Sequence, residues 1–201
     1  SKPSLVGSGV ACGSGSGFVA LVGVTRQSLL TMVQSVELLL DDRLDAAVRR
    51  EWRQVSGSGV RGQDAVRQAS NRPHITLAVA QHIAPEVELE LQRGLLAPTL
   101  QITLGGLVIF GGHRKTLAHL VVPTSGLLSL QRTVHRLMHT SEGIPTHTHP
   151  GDWTPHVTLA RRVLPEQIGA AVCAVSATHL TGHAVSIRRW DGEAKREWLI
   201  T

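Results

Sequence analysis

Two hexapeptides, Pro73-His74-Ile75-Thr76-Leu77-Ala78 and Pro155-His156-Val157-Thr158-Leu159-Ala160, stand 82 residues apart and agree at five of six positions. No other feature constrains the fold of this chain as much. Each is a short, largely aliphatic and β-branched run opened by proline, which reads as a strand. Side chains alternate between faces along a strand. His74, Thr76 and Ala78 therefore share one face, and Ile75, Leu77 and Val79 anchor the other in the core. The second copy repeats this with His156, Thr158 and Ala160 outward and Val157 and Leu159 inward. The small Ala78 and Ala160 leave room for a ligand above each strand.

A repeated strand implies a repeated unit around it. Val36-Glu37-Leu38-Leu39-Leu40 reads as a buried strand, and Ala118-His119-Leu120-Val121-Val122 lies at the same 82-residue offset. Each is followed by a helical pattern. The first, with Leu44, Ala47, Val48, Trp52 and Val55, is opened by Asp41 and Asp42 as potential caps. The second, with Leu127, Leu130, Val134, Leu137 and Met138, is opened by Pro123, Thr124 and Ser125. Polar loops over 56–72 and 142–154 lead to the hexapeptides. Proline-opened helices over 85–96 and 165–175 follow, and then strands over 100–110 and 183–190. Gly105-Gly106 marks a bulge or bend in the former. Asp191-Gly192 after the latter signals a hairpin returning over 195–201.

The predicted fold is α+β and bilobal. Strand–helix–strand–helix–strand is used twice, with pseudo-twofold symmetry around a central cleft. Lobe one spans about 32–112 and lobe two about 113–201, within a domain over 32–201; whether strands are exchanged between lobes stays open. Residues 1–31 are Gly- and Ser-rich up to residue 17, with a short apolar run over 18–24. They read as a flexible leader, a tag remnant or an extension, with Met32 as the natural start.

Two such strands facing each other would set two imidazoles and two hydroxyls around one small anion. Imidazole titrates at about pH 6.5, so it gives and takes protons near neutrality. Breaking a phosphodiester needs both acts: one histidine deprotonates the attacking water, the other protonates the departing oxygen. Thr76 and Thr158 can donate hydrogen bonds to non-bridging phosphate oxygens. The expected chemistry is thus metal-free and without a cofactor; His74 is read as general acid and His156 as general base, with the pseudo-symmetry leaving the opposite assignment open.

At these residues the chain resembles the two-histidine (2H) phosphoesterase superfamily, and within it the RNA 2',3'-cyclic phosphodiesterase or 2'-5' RNA ligase family. The resemblance covers about residues 33–201. It rests on the two Pro-His-x-Thr-Leu-Ala strands, their separation, the duplicated lobe pattern and Leu104-Gly105-Gly106-Leu107-Val108-Ile109-Phe110. It implies opening of 2',3'-cyclic phosphate ends to a 2'-phosphate, with reversible 2'-5' joining in some relatives. RNA ends or small cyclic-phosphate nucleotides would be the partners. The family pattern also puts an arginine five residues after the second histidine, which matches Arg161. Strand parity instead puts Arg162 on the face of His156, so both remain candidates. The first strand lacks the aromatic with which characterised bacterial enzymes can stack a base, and Trp153 is the candidate for that role.

The bulk composition agrees with a globular chain: 42% hydrophobic and 17% charged residues over 201 positions. A net charge of +5 favours phosphate-bearing partners without naming one. Two cysteines, Cys12 and Cys173, supply neither metal spacing nor a disulfide framework, and point to a reducing cytoplasm. No apolar run reaches the roughly 18 residues of a membrane span, so no membrane partner is expected. Oligomeric state is open. His147-Thr148-His149 is the best fragment for a metal site, but it reads better as part of a polar loop overhanging the cleft. His119 reads as a satisfied core histidine, and His113-Arg114-Lys115 as a solvated basic turn. The alternative functional reading is a non-catalytic RNA- or nucleotide-binding module on the same fold.

Overall fold

A computed structural model describes residues 33–175 and 179–201. The leader expected over 1–31 and the start at Met32 lie outside the described residues. The chain runs β1 (Gln34–Leu40), α1 (Asp42–Gly57), β2 (His74–Ala80), α2 (Pro85–Gly94), β3 (Gln101–Phe110), β4 (Lys115–Val121), α3 (Ser125–Leu137), β5 (His156–Val163), α4 (Ile168–Ala174), β6 (Leu180–Asp191) and β7 (Arg196–Leu199). Its class is α+β, as the alternating periods require. No helix among the described residues is long and apolar enough to cross a membrane.

The helix starts follow from local chemistry. Asp41 caps α1 by accepting the Leu44 N–H at 2.8 Å, and Thr124 caps α3 by accepting that of Leu127 at 3.3 Å. Such caps stabilise a helix by about 1 kcal/mol. The stretch expected as one helix over 165–175 opens as a 3-10 turn, Pro165–Gln167, and becomes α-helical only at Ile168.

The strands are ordered β2-β1-β6-β3-β4-β5, with β7 pairing the far half of β6. All neighbours are antiparallel. The order reads alike from both ends: β2-β1-β6 mirrors β5-β4-β3, and β6 meets β3 in the middle. The closing strand of each repeat therefore joins the opening strand of the other, β6 with β1 and β3 with β4. This arrangement is consistent with duplicated, interlocked units. Every residue of β1 is buried, because it is flanked by β2 and β6 on its edges.

Cross-strand pairing refines the repeat. Thr76 lies opposite Glu37 and Thr158 opposite Ala118, so the opening strands are equivalent at an offset of 81, not 82. Gly105-Gly106 forms the expected bulge, since Leu104 pairs Val121 while Leu107 pairs His119. His119 is 2% exposed and meets Glu51 Oε2 at 2.7 Å and the Gly105 carbonyl at 3.2 Å, a core histidine as expected.

A second pair of bulges corrects the assignment of faces. Val36 pairs Ala78 while Glu37 pairs Thr76, leaving Leu77 as the extra residue on β2. Leu117 pairs Ala160 while Ala118 pairs Thr158, leaving Leu159 extra on β5. One extra residue reverses the parity of everything beyond it. Ala78 and Ala160 are consequently buried in the core, and Val79, expected there, is partly exposed on the side of His74.

Candidate active site

The bulges are held by long-range hydrogen bonds. The Trp52 indole N–H on α1 donates to the Thr158 carbonyl at 2.9 Å. The Trp153 indole N–H donates to the Thr76 carbonyl at 3.0 Å. Each interrupted strand thus has its threonine carbonyl satisfied by an indole from outside its own ladder. Ile75, Leu77, Val157 and Leu159 are fully buried beneath, at about 1.5–3 kcal/mol for each such side chain.

On this footing the two histidines adopt matching poses. His74 Nδ1 lies 2.7 Å from the Arg72 carbonyl, and His156 Nδ1 lies 2.8 Å from the Thr154 carbonyl. A carbonyl only accepts, so in each ring the proton on Nδ1 is assigned by that contact and Nε2 is left for chemistry. A second neighbour of His74 Nδ1, Arg188 Nη2 at 3.5 Å, is too distant to compete. Strands β2 and β5 are in contact. The Phe110 ring packs on His156 at 4.7 Å between centroids.

A cavity of about 300 Å³ opens on this face. His74, Thr76 and Arg161 line it, together with Glu37, Arg188 and Trp190. Amide side chains of Gln63, Gln68 and Asn71 form another wall. His156 and the 7%-exposed Thr158 are not among the lining residues. His156 nonetheless responds to this region. Burial holds its pKa below the ordinary 6.5, the positive charges of Arg161, His74 and His147 add to the effect, and the Thr154 carbonyl opposes it.

The conflict between Arg161 and Arg162 has a structural answer in position. Beyond the Leu159 bulge, Arg161 falls on the cavity side. Arg162 sits at a further slip, since Thr116 pairs Arg161 and Lys115 pairs Val163. It is exposed, has a φ of 62° and does not line the cavity. Trp153 is likewise absent from the lining, its indole packed against the core. His147 and His149 part company: the former influences His156, while the latter stacks edge-on against His135 at 4.8 Å. Among the described residues no three His, Cys, Asp or Glu side chains are grouped to hold a metal ion.

Three cavity-lining residues escaped the reading of the sequence, Glu37, Arg188 and Trp190, as did Phe110, which packs on His156. Glu37 left a signal, being the one charged residue in the opening strand. It is 5% exposed. Burial alone would raise its pKa, but the charges of His74 and Arg188, with hydrogen bonds from Ser35 and Arg188, bring it below the ordinary value of 4.5. Trp190 and Phe110 occupy matching places on the closing strands, opposite Ser35 and Thr116.

Two His-x-Thr strands, each with its histidine anchored through Nδ1, match a two-histidine phosphoesterase architecture. The model of the 2'-5' RNA ligase superfamily matches residues 41–194, and the chain belongs to that superfamily. It is thereby an enzyme of the 2H phosphoesterase class. Apo LigT of E. coli shares the fold with a TM-score of 0.52 at 15% identity, covering 84% of this chain and 94% of that one. LigT complexed with phosphate gives 0.50 at 16% identity, covering 83% and 95%. Usb1 of Kluyveromyces marxianus gives 0.47 at 10% identity, covering 84% and 97%. No curated protein matches the chain.

Proposed function

We propose that this enzyme opens 2',3'-cyclic phosphate ends of RNA or nucleotides, leaving a 2'-phosphate, with reversal toward 2'-5' joining open to the same site. The observation that carries the reading is the matched pose of His74 and His156, each anchored through Nδ1 with Nε2 presented. In the forward direction His156 Nε2 takes a proton from water as its oxygen attacks phosphorus. The bond from phosphorus to the 3' oxygen breaks, and His74 Nε2–H protonates that oxygen. Thr76, Thr158 and Arg161 offer hydrogen bonds to the non-bridging oxygens, whose charge grows in the transition state.

The low pKa of His156 suits the base, which must be neutral to act. The cavity volume of about 300 Å³ sits at the lower end of ligand pockets, about 300–1,000 Å³, and suits one nucleotide at a time. Trp190 gives it an aromatic wall for a base. LigT, of the same fold, has been crystallised with phosphate and with 3'-AMP.

The test is a panel of 2',3'-cyclic mononucleotides and cyclic-ended RNAs, with the product phosphate located by NMR. Turnover to 2'-phosphate is expected, unaffected by EDTA and lost in both His74→Ala and His156→Ala. Affinity for RNA without turnover would favour the binding module, and full activity in either single variant would refute the two-histidine mechanism.

A further inference from the structure

The two halves of the site are equivalent in their histidines and threonines but not around them. Opposite Thr76 on β1 stands Glu37, and opposite Glu37 on β6 stands Arg188. The equivalent places in the other half are Ala118, opposite Thr158, and Val108, opposite Ala118. Conversely, Arg161 stands 82 residues after Val79, at the same step beyond its bulge. One half carries a buried carboxylate beside its histidine, and the other carries an arginine.

Glu37 is firmly held. Ser35 Oγ donates to its Oε1 at 2.6 Å. Arg188 approaches its Oε2 through Nε at 2.7 Å and Nη2 at 2.6 Å. Arg188 also donates from Nη1 to the Ser70 carbonyl at 2.9 Å and to Glu197. Glu37 Oε1 lies 3.7 Å from His74 Nε2, the nitrogen the reaction uses.

We propose that Glu37 is the positioning residue that makes the two histidines unequal, keeping a proton on His74 Nε2 so that His74 serves as the acid and His156 as the base. This rests on the phosphodiesterase reading and deepens it. Glu37, Glu197 and Arg188 together carry one net negative charge, which a protonated His74 balances. The other charged or titratable groups around His74 are Arg72 in the preceding segment, itself 3.9 Å from Asp45, and His156 and Arg161 on β5. Arg72 and Arg161 are cations and oppose Glu37, whose carboxylate is the one placed within 4 Å of His74 Nε2 among the described residues. The His74 charge is among the influences that hold Glu37 ionised. Among the described residues, no carboxylate is one of the groups that act on His156.

The test is the pH dependence of kcat/KM on 2',3'-cyclic AMP for the full chain and for Glu37→Gln and Glu37→Asp. The acid must be protonated, so its loss sets the alkaline limb. Glu37→Gln is expected to move that limb down by about one to three pH units, the usual effect of an opposite charge at this range, and to leave the acid limb in place. Glu37→Asp is expected to restore part of the shift. Equal movement of both limbs, movement of the acid limb alone, or an unshifted profile would overturn the assignment. Absence of turnover in the unaltered chain would instead refute the phosphodiesterase reading.

Should Glu37→Gln fail to fold, ring-proton NMR of the unaltered protein decides. Signals are assigned from the His74→Ala and His156→Ala spectra. With rising pH, His156 is expected to lose its proton before His74, and the reverse order would overturn the proposal.

Discussion

Trp52 is 2% exposed, and its indole N–H is bonded to the carbonyl of Thr158, beside the extra residue that turns Arg161 toward the cavity. Trp52→Phe keeps an aromatic ring in the core but removes the donor. A buried carbonyl left without a partner costs about 1–3 kcal/mol. Losing the pyrrole half of the indole, at about 0.8 kcal/mol per buried CH₂, costs about 1–2 kcal/mol more. The variant should therefore be less stable by about 2–5 kcal/mol, lowering Tm by about 4–20 °C for a chain of this size. Function should suffer beyond that. If the bulge relaxes, parity turns Arg161 outward and Arg162 inward, and the cavity loses the Arg161 guanidinium. Thermal denaturation and turnover of a 2',3'-cyclic nucleotide are measured side by side, with Val48→Ala on the same helix as a control for destabilisation alone. We expect kcat/KM per folded molecule to fall more than about tenfold in Trp52→Phe, about 1.4 kcal/mol of transition-state stabilisation, and to stay level in Val48→Ala. Equal activity in the two variants would refute the idea that this indole aims the site.

Further outcomes follow from the same geometry. Either His74→Ala or His156→Ala should reduce kcat by at least about 10²-fold, the ordinary value of general acid or base catalysis, with the fold intact by circular dichroism. Arg161→Ala should weaken kcat/KM, and should move the acid limb of the pH profile upward because a positive charge acting on His156 is gone; Arg162→Ala, exposed and off the cavity, should do neither. The limb set by His156 in the unaltered enzyme should lie below pH 6.5, and a midpoint above that value would contradict its environment. Stability has its own pH dependence. A depressed histidine pKa leaves the unfolded chain binding more protons between the folded value and 6.5, so stability rises with pH across that window and falls on acidification. The depressed carboxyl of Glu37 contributes stability that is present above 4.5 and lost as pH falls through its folded value. Urea unfolding from neutral to acid pH should show both losses in the unaltered protein, with the lower one reduced in Glu37→Gln.

Much of the fold and the core of the site were legible in the residues themselves. Hydrophobic period and helix caps located β1, α1 and α3, because those signals are local. The repeated Pro-His-x-Thr-Leu-Ala singled out His74, Thr76, His156 and Thr158, because catalytic side chains at two-residue spacing on a strand announce a shared face. The faces beyond the threonines were misread, with Val79 assigned to the core. A bulge is invisible in a sequence of ordinary aliphatic residues, since Leu77 and Leu159 differ from their neighbours only in what lies across the ladder.

What the sequence alone determined about this protein was its α+β class and two strands each carrying a histidine and a threonine at two-residue spacing, because alternation and periodicity are properties of neighbouring residues. Only the tertiary structure decided which of Arg161 and Arg162 faces the cavity, brought Trp52 to Thr158 over 106 residues and Trp153 to Thr76 over 77, and set Glu37 against His74. Those outcomes depend on register and on the crossing of β6 and β3 between the halves, which are fixed by contacts far apart along the chain and so leave no local trace.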